Sequence, residues 1–62
     1  MKLPEEKTIW FNKFFPVEPY VVTRATKRNV LYKCNGRAGD MGLGVWDDNM
    51  MTFEERMKGE EL

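Results

Sequence analysis

The chain has no histidine and no serine, and its only cysteine is Cys34. Each absence removes a class of chemistry. One thiol cannot close an internal disulfide. One thiol without an imidazole also falls short of the four ligands of an ordinary zinc site. Nucleophilic catalysis needs a nucleophile beside a base, and neither a Ser–His nor a Cys–His pair can be assembled. Asp47 and Asp48, beside Trp46, are adjacent carboxylates on a polar break. They lack the opposed environments that separate the pKa values of an acid–base pair. Asp40, Asp47 and Asp48 also miss the spacing of a calcium loop. The expectation is a protein that is not an enzyme and carries no cofactor or metal. No apolar run approaches the roughly 18 residues of a membrane span. Met1–Lys7 lacks the apolar block of a signal peptide. A cytoplasmic chain with a reduced thiol and no membrane partner is expected.

Its 62 residues suffice for one small domain over residues 1–62, with a frayed acidic tail over 59–62. A domain of this size buries only about 60% of its unfolded surface, so it holds a thin margin of stability. The core has material nonetheless, with 42% hydrophobic and 13% aromatic residues. The net charge is zero but divided. Lys7–Arg37 carries +6, whereas Ala38–Leu62 carries −5. Such a division marks either a polar partner surface or two halves that face each other in the fold.

Pro4, Glu5 and Glu6 suit a first helical turn, and Trp10 and Phe14 stand four apart. A short helix over about 4–14 is expected, with a strand over Thr8–Phe15 as its rival, because Ile, Trp and Phe also suit a sheet. Pro16 and Pro19 end whatever precedes them. Tyr20–Thr26 reads as a strand, Lys27-Arg28-Asn29 as a turn with Asn29 left-handed, and Val30–Cys34 as the returning strand. This register sets Tyr20, Val22 and Arg24 on one face, and Val30, Tyr32 and Cys34 on one face. Cys34, among apolar neighbours, is expected to be mostly buried. Asn35-Gly36 is a second turn signal. Met41, Leu43 and Val45 alternate, predicting a third strand near 41–46, thinned by Gly42 and Gly44 so that another backbone or a large aromatic can lie against it. Thr52 with Glu55 has the capping-box spacing, and the helix it opens should stop at Gly59. The expected fold is α+β: a small antiparallel sheet, hairpin 20–34 plus the third strand, flanked by short N-terminal and C-terminal helices.

The glycine run from Gly36 to Gly44 lacks the Lys-Ser/Thr pair of a phosphate loop, and a strand rather than a helix follows it. Gly36-Arg37-Ala38-Gly39 shares the Gly-x-x-Gly spacing of the KH-domain clamp, which lies between two helices in a domain of different order, so no function is carried over.

Two groups of residues remain as candidate binding surfaces. Trp10, Phe11, Phe14 and Phe15 are too many large side chains for one face of a small domain, and Met50 and Met51 are consecutive, so one points outward. Exposed aromatics and methionines mark interfaces. These six are the expected protein-binding residues, toward another protein or a second copy. The four rings are not all expected to be buried: if Trp10 and Phe14 fill the core, Phe11 and Phe15 stay near its rim. The alternative is a nucleic-acid-binding module on the basic hairpin 20–37, where Arg24, Lys27, Arg28, Lys33 and Arg37 would track phosphates and Tyr32 would stack on a base. Against it stands the acidic half, which would repel a long nucleic acid. The function expected is non-enzymatic binding through protein–protein interaction. From gene size alone, a phage-type modulator or inhibitor of a host protein is expected.

Overall fold

The computed structural model describes residues 3–60, with the backbone alone described at Glu60. The element order is β1 (Ile9–Asn12), β2 (Tyr20–Ala25), β3 (Asn29–Cys34), β4 (Arg37–Gly42), α1 (Leu43–Asn49), β5 (Met50–Thr52) and α2 (Phe53–Glu60). The class is α+β. All pairings are antiparallel, in the order β4-β3-β2-β1-β5. Four strands therefore meander, and α1 then carries the chain across the sheet so that β5 can pair with β1 on the far side.

The N-terminal helix does not form. Residues 9–12 are a strand, the rival reading of that segment. Lys7 adopts a left-handed backbone (φ 65°), which stops a helix from Pro4. The Lys7 amide donates to the Val22 carbonyl (2.7 Å), and the Val22 amide donates to Thr8 (3.0 Å), so pairing with β2 begins ahead of β1. Extended geometry also solves the crowding of aromatics, because successive side chains go to opposite faces. Trp10 faces α1, with its ring 5.7 Å from Trp46. Phe11 faces α2, with its ring 6.3 Å from Phe53 and the Arg56 guanidinium 4.7 Å over it.

The hairpin 20–34 is present, but its register breaks once. Val22 pairs with Tyr32 and Arg24 with Leu31, so Thr23 is an extra residue, a β-bulge. The bulge resets the alternation. Ala25 turns to the core and Arg24 to the opposite face, away from Tyr20 and Val22. Asn29 is not left-handed. The turn closes through Thr26, whose hydroxyl accepts from the Arg28 (3.2 Å) and Asn29 (3.1 Å) amides. Asn35 (φ 53°) and Gly36 (φ 77°) are both left-handed, as the two central residues of a type I′ turn must be.

The third strand lies at 37–42 rather than 41–46. Residues 43–49, whose alternation suggested a strand, form α1. Trp46 decides the matter: it is almost wholly buried, packed with Val22, Val30 and Met50 and surrounded by the rings of Trp10, Tyr20 and Tyr32. Leu43 joins it one turn earlier, so a helix buries both while Val45 stays outside. The glycine that admits a large aromatic is Gly39. A Cβ there would stand 2.8 Å from the Tyr32 ring and hydroxyl.

The C-terminal helix is capped by a reciprocal pair. The Glu55 amide donates to the Thr52 hydroxyl and the Thr52 amide to the Glu55 carboxylate, both at 3.1 Å. Gly59 lies inside α2, which runs to Glu60. Of the acidic tail, Glu61 and Leu62 fall outside the described residues. Among the described residues, no helix is long and apolar enough to cross a membrane.

Candidate functional site

The β1–β2 connection, residues 13–19, is where the surface departs most from an ordinary polar one. Phe14 is 77% exposed, Phe15 71% and Val17 66%, and the three fall within four positions of one loop. Apolar side chains in a loop usually turn inward or become mobile, yet this loop is tied down along its length. The Asn12 carboxamide oxygen accepts from the amides of Phe14 (2.8 Å) and Phe15 (3.1 Å), an Asx turn that sets the direction of both side chains. The Lys13 amide donates to the Asn49 carbonyl at the end of α1 (2.8 Å), and the Val17 amide donates to Phe15 (2.9 Å). From the other face of the sheet, Arg56 of α2 reaches over Phe11 and donates through Nε to the Pro16 carbonyl (3.2 Å). Pro16 fixes its own φ.

The remaining candidate protein-binding residues lie elsewhere. Phe11 is buried beneath α2 rather than left near the rim, and Trp10 is half-buried beside Trp46 with its indole N–H donating to the Thr8 hydroxyl (3.0 Å). Phe14 does not fill the core with Trp10, because the strand ends at Asn12. Met50 is buried in the core cluster, and Met51, opposite Phe11 on β5, is half-buried on the outer face. Burial withdraws Phe11 and Met50 from any contact surface.

The basic set is not brought to one face. Lys27 and Arg28 lie at the β2–β3 turn. Arg37 lies at the opposite end of β3, roughly 17–20 Å away along a strand of this length. Arg24 and Lys33 share the outer face, where Arg24 flanks Leu31 and Lys33 stands opposite Val21. Tyr32 turns to the other face, its ring 5.0 Å from Tyr20 and 5.8 Å from Trp46. This packing sets Tyr32 on the face opposite Arg24 and Lys33.

The single thiol touches a carboxylate. The Cys34 thiol donates to a Glu18 oxygen at 3.4 Å, in an open cleft also lined by Tyr20, Tyr32 and Arg37. Cys34 is half-buried rather than fully buried, since it ends β3. Burial pushes its pKa up, and the Glu18 hydrogen bond and negative charge push it further, so the thiol is held protonated. Burial likewise raises Tyr20, followed by the influence of Cys34, Tyr32 and Glu18. Among the described residues no group of His, Cys, Asp and Glu is placed to hold a metal ion.

A surplus of aromatic surface in this segment was readable, but the pairing of Phe14 with Phe15 outside the core was not. Nor was the hold of Arg56 on the loop, because it joins residues forty positions apart. Comparison of the chain with protein families, with curated proteins and with solved structures finds no match.

Proposed function

We propose that this chain is a small binding protein that acts through contact with another protein, and that the loop Phe14-Phe15-Pro16-Val17 is its anchor. The observation that carries this reading is the combination of exposure and constraint in that loop. Large aromatic anchors at the centre of an interface contribute most of its affinity. An anchor already ordered in the free protein avoids the cost of freezing a rotamer-rich loop on binding. The Asn12 turn and the Arg56 hydrogen bond supply that order here. A partner of this loop offers an apolar pocket or groove that accepts two phenyl rings. The role we assign is that of a modulator or inhibitor, which works by occupying a partner's surface.

The test places a photoreactive phenylalanine analogue at position 14 or 15, identifies the protein it crosslinks, and titrates that partner against wild type and Phe14→Ala/Phe15→Ala. A loss of at least 2 kcal/mol in binding, about 30-fold, with an unchanged melting temperature is expected. A partner bound equally well by the double variant would refute the assignment.

A further inference from the structure

The two edges of the sheet are not alike. β5, at one edge, has three residues. β4, at the other, has six, Arg37-Ala38-Gly39-Asp40-Met41-Gly42, with no proline or lysine. Natural sheets blunt their edges with short strands, prolines, charged side chains (lysine above all) or bulges, because an unpaired edge recruits another strand. β5 is short. β4 pairs with β3 through six consecutive residues without a bulge and carries one acid, Asp40, on its outer face.

The outward-facing groups of β4 can be assigned. Cys34 and Arg37 flank the two-residue Asn35-Gly36 turn, so they form a hydrogen-bonded pair, and every second residue of β4 from Arg37 onward bonds to β3. The Leu43 amide, next in that series after Met41, donates to the Arg28 carbonyl (3.0 Å), as the alternation requires. Ala38, Asp40 and Gly42 therefore direct their N–H and C=O groups away from the sheet.

We infer that β4 pairs antiparallel with β4 of a second copy, related by a two-fold axis through Gly39. The axis must set a residue opposite itself, because directly opposed residues share a face. An axis at Asp40 would oppose two like charges. An axis at Met41 would carry the pairing into α1, which starts at Leu43. The Gly39 axis keeps the pairing between Arg37 and Met41 and forms about four main-chain hydrogen bonds, exchanged between Ala38 and Asp40 of the opposite copies. Two Gly39 residues then meet at the closest approach of the strands, where neither has a Cβ. The Tyr32 ring over each Gly39 flanks the seam.

Charge complementarity selects a second copy as the occupant. Lys33 stands directly opposite Ala38 on the outer face. Asp40 of the second copy continues that row on the far side of the small Ala38 side chain. Lys33 and that Asp40 lie two strand spacings apart, roughly 10 Å between backbones, within reach of the lysine stem. The two-fold makes the pair twice. Asp40 already accepts from the Asn29 carboxamide through one oxygen (3.2 Å), which leaves its other oxygen for Lys33.

The test is sedimentation equilibrium from about 1 μM to about 1 mM. Wild type is expected to approach twice the monomer mass across this range. Ala38→Pro removes an outward N–H and no bond to β3, and should abolish association. Asp40→Lys should weaken association at least tenfold, and Lys33→Glu/Asp40→Lys should restore it, a comparison that survives even if the proline variant fails to fold. A wild type that stays monomeric to about 1 mM would overturn the proposal. So would association unaffected by Ala38→Pro or Asp40→Lys, or a double variant no tighter than Asp40→Lys alone.

Discussion

At the scale of single residues, two glycines show opposite uses of a missing side chain. Gly39 is glycine because Tyr32 lies on it, and Tyr32 in turn packs on Trp46. Gly44 lies inside α1 with nothing within 4 Å of the Cβ it lacks. Gly39→Ala should therefore push Tyr32 off its seat and cost about 1–3 kcal/mol, the usual range for overpacking. Gly44→Ala should stabilise by about 0.5–1 kcal/mol, because alanine loses less backbone entropy in a helix. Urea denaturation of the two variants checks both signs, and equal effects would show that Tyr32 is not seated as described. Cys34 gives a prediction in pH. Its ordinary pKa is 9.0, and burial and Glu18 raise it in the folded chain. The fold thus favours the protonated thiol. The associated stability is fully present below about pH 9 and is lost as pH rises through the folded pKa. Alkylation of native protein by iodoacetamide should reach half its maximal rate above pH 9, and Glu18→Gln should lower that midpoint. A native midpoint below pH 9 would contradict the geometry.

At the scale of elements, what was legible in the sequence was local. The hairpin 20–34, the Asn35-Gly36 turn and the Thr52–Glu55 cap each depend on residues a few positions apart, and each is present. The elements misread were those decided by distant contacts. Residues 4–14 carry a helical spacing, but Lys7 and Thr8 pair with Val22, and Trp10 and Phe11 find separate layers on opposite faces of a sheet. Residues 43–49 include Gly44, and the acids Asp47 and Asp48 sit toward the helix C-terminus, where the dipole disfavours them. Intrinsic preference argues against α1, and the burial of Trp46 outweighs it. The bulge at Thr23 left no sequence signal, since Thr23 and Arg24 suit a regular strand equally well. The candidate site divides in the same way. Surplus aromatic surface near Phe14 and Phe15 follows from counting large side chains. Which of them stay outside depends on where β1 ends and on the reach of Arg56 from α2.

At the scale of the whole molecule, the core has one hub. Trp46 stands against side chains of β1, β2, β3 and β5 at once, through Trp10, Tyr20, Val22, Val30, Tyr32 and Met50. The opposite face of the sheet has a partial cover, since α2 shields Phe11 while Val21 and Leu31 stay partly exposed and Phe53 itself is about half exposed. The two layers therefore contribute unequally. A chain of this length has a total stability of about 3–9 kcal/mol at ordinary values per residue. Removing a buried tryptophan side chain costs about 3–5 kcal/mol. Trp46→Ala should thus consume most or all of the margin, and no second cluster exists on that face among the described residues to hold the strands together. The expected outcome is loss of near-ultraviolet circular dichroism and of a cooperative melting transition at room temperature. Phe53→Ala, which removes a half-exposed ring from the thinner layer, should keep the transition and shift it by a few degrees. Phe14→Ala should leave it in place. If Phe53→Ala proves as damaging as Trp46→Ala, the outer layer carries as much of the fold as the inner one, and the single-hub description fails.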